Sequence, residues 1–100
     1  MKRIDELGIS PWPWSAGIGD DDRFVIRDSK GYEIAQAFSG GYDSTIIAAA
    51  PELYEALRKA VEFIEQVGDA MGGLPRDVSE NQHMAFKALA KAAVGEVAHV

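Results

Sequence analysis

Ser39-Gly40-Gly41-Tyr42-Asp43-Ser44-Thr45-Ile46-Ile47-Ala48-Ala49-Ala50-Pro51-Glu52-Leu53-Tyr54-Glu55-Ala56-Leu57 is the stretch on which the fold turns. Two glycines mark a turn at its start. After them the pattern becomes helical, and Asp43 or Ser44 is placed to cap a short helix over about residues 44–49. Pro51 suits the first turn of a second helix, and Glu52 and Glu55 suit its positive end. Ile46, Ile47, Leu53 and Leu57 read as core, with Ala48–Ala50 allowing close packing.

Upstream, Arg23-Phe24-Val25-Ile26-Arg27 is rich in strand formers, and Phe24 and Ile26 fall on one face. Asp28-Ser29-Lys30-Gly31 reads as a turn, in which aspartate bonds nearby backbone and glycine accepts a positive φ. Tyr32–Phe38 returns as the second strand. A two-stranded ribbon is not stable alone, so a helix must cover it or a third strand must join it, and the Trp-containing N-terminal segment is a candidate for that strand. Residues 1–22 otherwise read as extended chain and loop. Pro11-Trp12-Pro13-Trp14 is held extended by its prolines, and Ser15–Asp22 carries two glycines and three aspartates.

Downstream, Leu53, Leu57, Val61 and Ile64 lie at the helical repeat, with Ala56, Ala60 and Val67 beside them. Glu55, Arg58, Lys59, Glu62 and Glu65 lie mostly on the opposite face. Gly68, Gly72-Gly73 and Pro75 are expected to end this helix, which spans about 51–67. Ser79-Glu80-Asn81-Gln82 has the form of a capping box for a third helix over about 80–97, with Phe86, Leu89, Ala93 and Val97 on one stripe. The expected fold is α+β and a single domain over 1–100: a hairpin or small antiparallel sheet at about 23–38, packed on an antiparallel helix pair, with the short helix before it.

Composition narrows the function. The chain has 100 residues, 47% of them hydrophobic, enough for a modest core. It has no cysteine, which excludes disulfides, thiolate metal sites and a cysteine nucleophile. No apolar run approaches the ~20 residues that span a bilayer, and Met1–Glu6 is not followed by the apolar region of a signal peptide. A cytoplasmic protein is expected. The net charge is −6, without a basic stripe, so neither nucleic acid nor membrane is expected as a direct partner. An acidic protein can instead cover the basic groove of a nucleic-acid-binding complex.

Candidate sites follow from these features. Trp12 and Trp14 read either as a lid on the core or as an aromatic anchor for a partner, which Tyr42 would extend. Asp20-Asp21-Asp22 is the one dense acidic run, read as a solvated loop or as part of the same contact surface. Ser39, Gly40, Gly41, Asp43 and Ser44 have the makings of an anion nest, since glycines let backbone N–H groups turn inward and serines add donors. His83 and His99, the only histidines, show no metal-ligand spacing, and no cofactor, metal or catalytic residue is expected.

Two resemblances bear on these alternatives. Ser39–Ser44 resembles the SGGxDS loop of the ATP pyrophosphatases, which implies nucleotide or phosphate binding. Against it, that fold needs several parallel strands with helical crossovers, and Pro51 interrupts the following helix early. Ile46–Leu57 resembles the LIAAAPELxEAL segment of a family of small phage- and prophage-encoded proteins. The similarity extends from about Pro11 to Val61, through the Pro–Trp segment and the strand–DxxG–strand pattern, although Ser44-Thr45 departs from the family's Asn-Ala pair. It implies a small accessory protein without catalysis, and therefore not an enzyme, binding a host or phage protein. Inhibition of a bacterial defence system such as a CRISPR–Cas complex is the use its phage context suggests; a structural homodimer is the other non-catalytic reading.

Overall fold

The computed structural model of the protein describes residues 2–38 and 41–94. A short 3-10 helix, Ile4–Glu6, is followed by strands β1 (Ser15–Ile18), β2 (Phe24–Arg27) and β3 (Glu33–Ala37). Three α-helices come next: α1 (Gly41–Ala48), α2 (Ala50–Met71) and α3 (Arg76–Val94). The chain forms two compact units, Ile4–Tyr54 and the residues from Glu55 onward together with Lys2 and Arg3.

In the first unit the strands form an antiparallel meander in the order β1-β2-β3. The expected hairpin is present, and a third strand joins it. That strand is Ser15–Ile18, within a stretch that reads as loop in the sequence. Ser-Ala-Gly-Ile has weak strand propensity, and pairing with β2 decides its conformation. Ala16 stands opposite Ile26, and Gly17 opposite Val25.

Both hairpin turns have local chemistry. Between β1 and β2, Asp22 N–H donates to Gly19 O at 3.1 Å and Gly19 N–H to Arg23 O at 2.8 Å. Asp22 has φ +59°, a value that aspartate tolerates better than most residues. Between β2 and β3, the Asp28 carboxylate accepts from the Lys30 and Tyr32 backbone N–H groups at 2.9 and 3.0 Å. Gly31 supplies φ +90° there, as the sequence pattern requires. A bulge between Ile26 and Arg27 makes Ile34 the extra residue on β3.

Within this unit α1 packs on the sheet and touches all three strands. The core beneath it is Ile26, Ala37 and Ala48, with Trp14, Ala16, Phe24, Ile34 and Ala35 around them. Full burial of a side chain such as Ile26 contributes about 1.5–3 kcal/mol. Small residues on α1 and β3 meet large ones on β2, which lets the helix lie close to the sheet.

α1 begins at Gly41, so Asp43 and Ser44 lie inside it rather than capping it. The Ser44 hydroxyl is buried and donates to Gly41 O at 2.8 Å, and Thr45 donates to Tyr42 O at 3.0 Å. Hydroxyls that bond back to the preceding turn satisfy themselves within a helix, which removes the need for a cap at that position. Pro51 falls in the first turn of α2, as expected.

In the second unit α2 and α3 contact each other, and the connection between them, residues 72–75, is short enough to reverse the chain. Gly68 does not end α2. The helix runs to Met71 and closes with a Schellman pair: Gly73 N–H donates to Gly68 O at 2.9 Å, and Gly72 N–H, at φ +77°, to Asp69 O at 3.4 Å. α3 starts at Arg76, four residues before the expected boundary. Ser79 N–H donates to Pro75 O at 3.0 Å, so Ser79 is a residue of the helix and not its cap. Leu89 is buried and Phe86 and Ala93 half-buried, as their spacing predicts; Val97 lies outside the described residues.

The buried face of α2 is turned relative to the one read from sequence. Val61 is buried and Leu57, Ile64 and Val67 are half-buried, but Leu53, Ala56 and Ala60 are exposed. Tyr54 and Arg58 are buried instead. Arg58 is accommodated because its guanidinium bonds Glu55 at 2.7 Å and Glu62 at 2.8 Å on the same helix. The hydrogen bond to Glu55 holds its pKa above the ordinary arginine value, against the opposing effect of desolvation, with Glu62 adding to the same side.

Candidate interaction surface around the first helix

α1 lies on the sheet through Ser44 and Ala48, one turn apart, and through Gly41, where a Cβ would stand 3.8 Å from Phe24 Cε1. Residues at 100° intervals then take the remaining directions. Tyr42 and Ile46 form the outer line, 88% and 62% exposed. Asp43 and Ile47 flank the β3 side, and Thr45 and Ala49 the β1 side. Ile46 and Ile47 are therefore not core, because the sheet face accepts the small side of α1 and leaves the large side chains outside. Phe38, at the end of β3, is 93% exposed, while its neighbour Ala37 is buried.

The consequence is an open cleft on each flank of α1. The β3-side cleft, about 390 Å³, is lined by Gln36, Ala37, Phe38, Asp43, Ile46 and Ile47. The β1-side cleft, about 380 Å³, is lined by Trp14, Ser15, Ala16, Thr45, Ala48, Ala49 and Glu52. Phe38, Tyr42, Ile46 and Ile47 give the first flank and the outer line an apolar character unusual for an isolated surface helix. The sequence contains a signal for this: Gly41–Ala48 shows no apolar stripe, and adjacent isoleucines on a helix 100° apart cannot both face a sheet centrally.

The other sequence candidates separate. Trp14 packs against the core, and its indole N–H donates to Ser10 O at 3.0 Å. Trp12, in a cis peptide bond with Pro13, is 38% exposed and is not part of that cluster. One tryptophan therefore belongs to the core and the other to the surface. Asp20, Asp21 and Asp22 form the tip of the β1–β2 hairpin, all exposed, with Asp21 3.3 Å from Arg23. An exposed pair of that kind contributes little.

Ser39 and Gly40 lie outside the described residues. Of the rest of that loop, Gly41 is the first residue of α1, and the Ser44 hydroxyl points into the helix backbone. The strand before the loop belongs to an antiparallel meander, not to a parallel crossover. Among the described residues no group of three or more His, Asp or Glu side chains is arranged to hold a metal, and His99 is not among them. Every buried side-chain nitrogen or oxygen of the described residues has a hydrogen-bond partner. No helix of the described residues is long and apolar enough to cross a membrane.

Searches of curated proteins and of solved structures each gave no match. The sequence profile of one phage protein family, whose function is unknown, covers residues 3–97, nearly the whole chain. The phage resemblance carried by Ile46–Leu57 thus extends to both units of the structure, and the chain belongs to the family of Salmonella phage P22 protein Y8K6.

Proposed function

We propose that this phage protein is a non-catalytic accessory protein that binds a protein of the infected host, with the outer face of α1 and the adjoining end of β3 as its contact surface. The observation that carries this reading is the exposure of Phe38, Tyr42 and Ile46 beside a core built with Ala37 and Ala48. Large aromatic and aliphatic side chains grouped on one face are the composition of interface centres. The net charge of −6 favours a partner with a basic surface, since complementary charge speeds encounter and limits wrong partners. A basic groove on a nucleic-acid-handling defence complex has that chemistry, and blocking such a groove is an anti-defence activity that needs no catalytic residue.

The test is affinity capture from host lysate with the wild-type chain and an Ile46→Asp variant, at low and high salt. A stoichiometric partner retained by wild type, lost with Ile46→Asp and weakened by salt supports the reading. Capture unaffected by Ile46→Asp overturns this choice of surface. Sedimentation velocity on the purified chain distinguishes self-association, which would assign the same face to a second copy.

A further inference from the structure

The β1-side cleft has a chemistry different from that of the apolar face. Its walls are an indole and three alanines: Trp14, Ala16, Ala48 and Ala49. Two of its donors are committed, since Trp14 Nε1 bonds Ser10 O and Thr45 Oγ1 bonds Tyr42 O. The Glu52 carboxylate lies at the rim, exposed and without an ion pair or hydrogen bond among the described residues. Beside the cleft runs β1, an edge strand that among the described residues pairs with β2 alone.

We infer that this cleft seats an arginine side chain from an extended partner segment lying along the free edge of β1. An aromatic wall and an unpaired carboxylate over a small-residue floor suit a guanidinium. Its plane stacks on an indole, its methylenes cover alanine, and its N–H groups need the acceptor that Glu52 supplies. The strand edge supplies unpaired backbone groups of the kind that bind peptides by strand addition. Trp14 is held by its bond to Ser10 and by the core, so little ordering is needed on binding. None of these residues is shared with the face formed by Phe38, Tyr42, Ile46 and Ile47.

The experiment uses the full chain carrying Trp12→Phe, which leaves Trp14 as the only indole. The probe is a blocked peptide, Thr-Val-Arg-Val-Thr, followed by Trp14 fluorescence. The expected result is a saturable change in emission, weakened at least about tenfold when citrulline replaces arginine, and weakened similarly by Glu52→Gln. Circular dichroism verifies that each variant is folded. Methylating the peptide's valine backbone nitrogens is expected to weaken binding further. Equal binding of the citrulline peptide, unchanged affinity in Glu52→Gln, or no saturable response up to millimolar peptide overturns the assignment; equal binding of the N-methylated peptide overturns the edge pairing.

Discussion

Gly68 and Leu74 are in direct contact: a Cβ on Gly68 would stand 2.9 Å from Leu74 Cγ and 3.0 Å from Cδ2. Glycine inside a helix ordinarily costs about 1 kcal/mol relative to alanine. Here it makes room for the leucine that follows the Schellman turn. Gly68→Ala is therefore expected to give no stabilisation in the wild-type background, and to stabilise by up to about 1 kcal/mol once Leu74→Ala has removed the contact. Denaturant unfolding of the four chains of the double-mutant cycle measures this; additive effects would contradict it.

Asp28 is expected to be the most sensitive turn residue. Its carboxylate satisfies two backbone N–H groups while 8% exposed. Asp28→Ala leaves both without that acceptor and is expected to cost about 1–3 kcal/mol. Asp28→Asn keeps one acceptor oxygen and is expected to cost less. Chemical denaturation ranks the two.

Ile26 and Ile46 predict opposite outcomes for the same chemical change. Ile26→Ala opens a cavity under α1 and is expected to cost about 2–5 kcal/mol. Ile46→Ala, at an exposed position, is expected to stay within about 0.5 kcal/mol of wild type. A loss at Ile46 comparable to that at Ile26 would place Ile46 in the core.

The two tryptophans are expected to differ in the same way. Trp14→Ala removes a half-buried, core-packed ring and a hydrogen bond, and is expected to cost less than the about 3–5 kcal/mol of a fully buried aromatic ring. Trp12→Ala is expected to cost far less. Acrylamide quenching of single-tryptophan variants is expected to be stronger for Trp12.

Arg58 gives a pH prediction. Its pKa is raised in the folded chain, by Glu55 first and Glu62 second. Its stabilising contribution is then complete below the ordinary arginine value and disappears only as pH climbs past the raised one. Between about pH 6 and about pH 10 the difference in melting temperature between wild type and Arg58→Met is expected to be flat. A difference that changes steeply within that window would assign it to another group. Arg58→Lys is expected to recover only part of the loss, because one ammonium does not reproduce the two-pronged contact.

The local signals in the sequence were reliable where geometry is local. Asp28 and Gly31 form the turn predicted for them, Pro51 lies in the first turn of a helix, and Leu89 lies on the buried stripe. The α+β class was legible for the same reason. Boundaries were not, because Ser44, Gly68 and Ser79 carry end signals that the structure answers inside helices. Ser44 bonds back along α1, Gly68 accommodates Leu74, and Ser79 N–H donates to Pro75 O. The candidate surface was least legible. Hydrophobicity alone places Ile46 and Ile47 inside, whereas the space over the sheet admits alanine, and only the packing partner reveals that preference.

The alanine floor beneath α1 separates two kinds of change open to this protein. At Ala35, Ala37 and Ala48, packed in or against the core, nearly every substitution adds volume, and overpacking costs about 1–3 kcal/mol. At Tyr42 and Ile46, on the opposite side of the same two-turn helix, a substitution meets solvent. One short segment can thus exchange its outward chemistry freely while its inward side stays fixed. The scaffold can therefore take on new outward chemistry at a few positions without relearning how to fold.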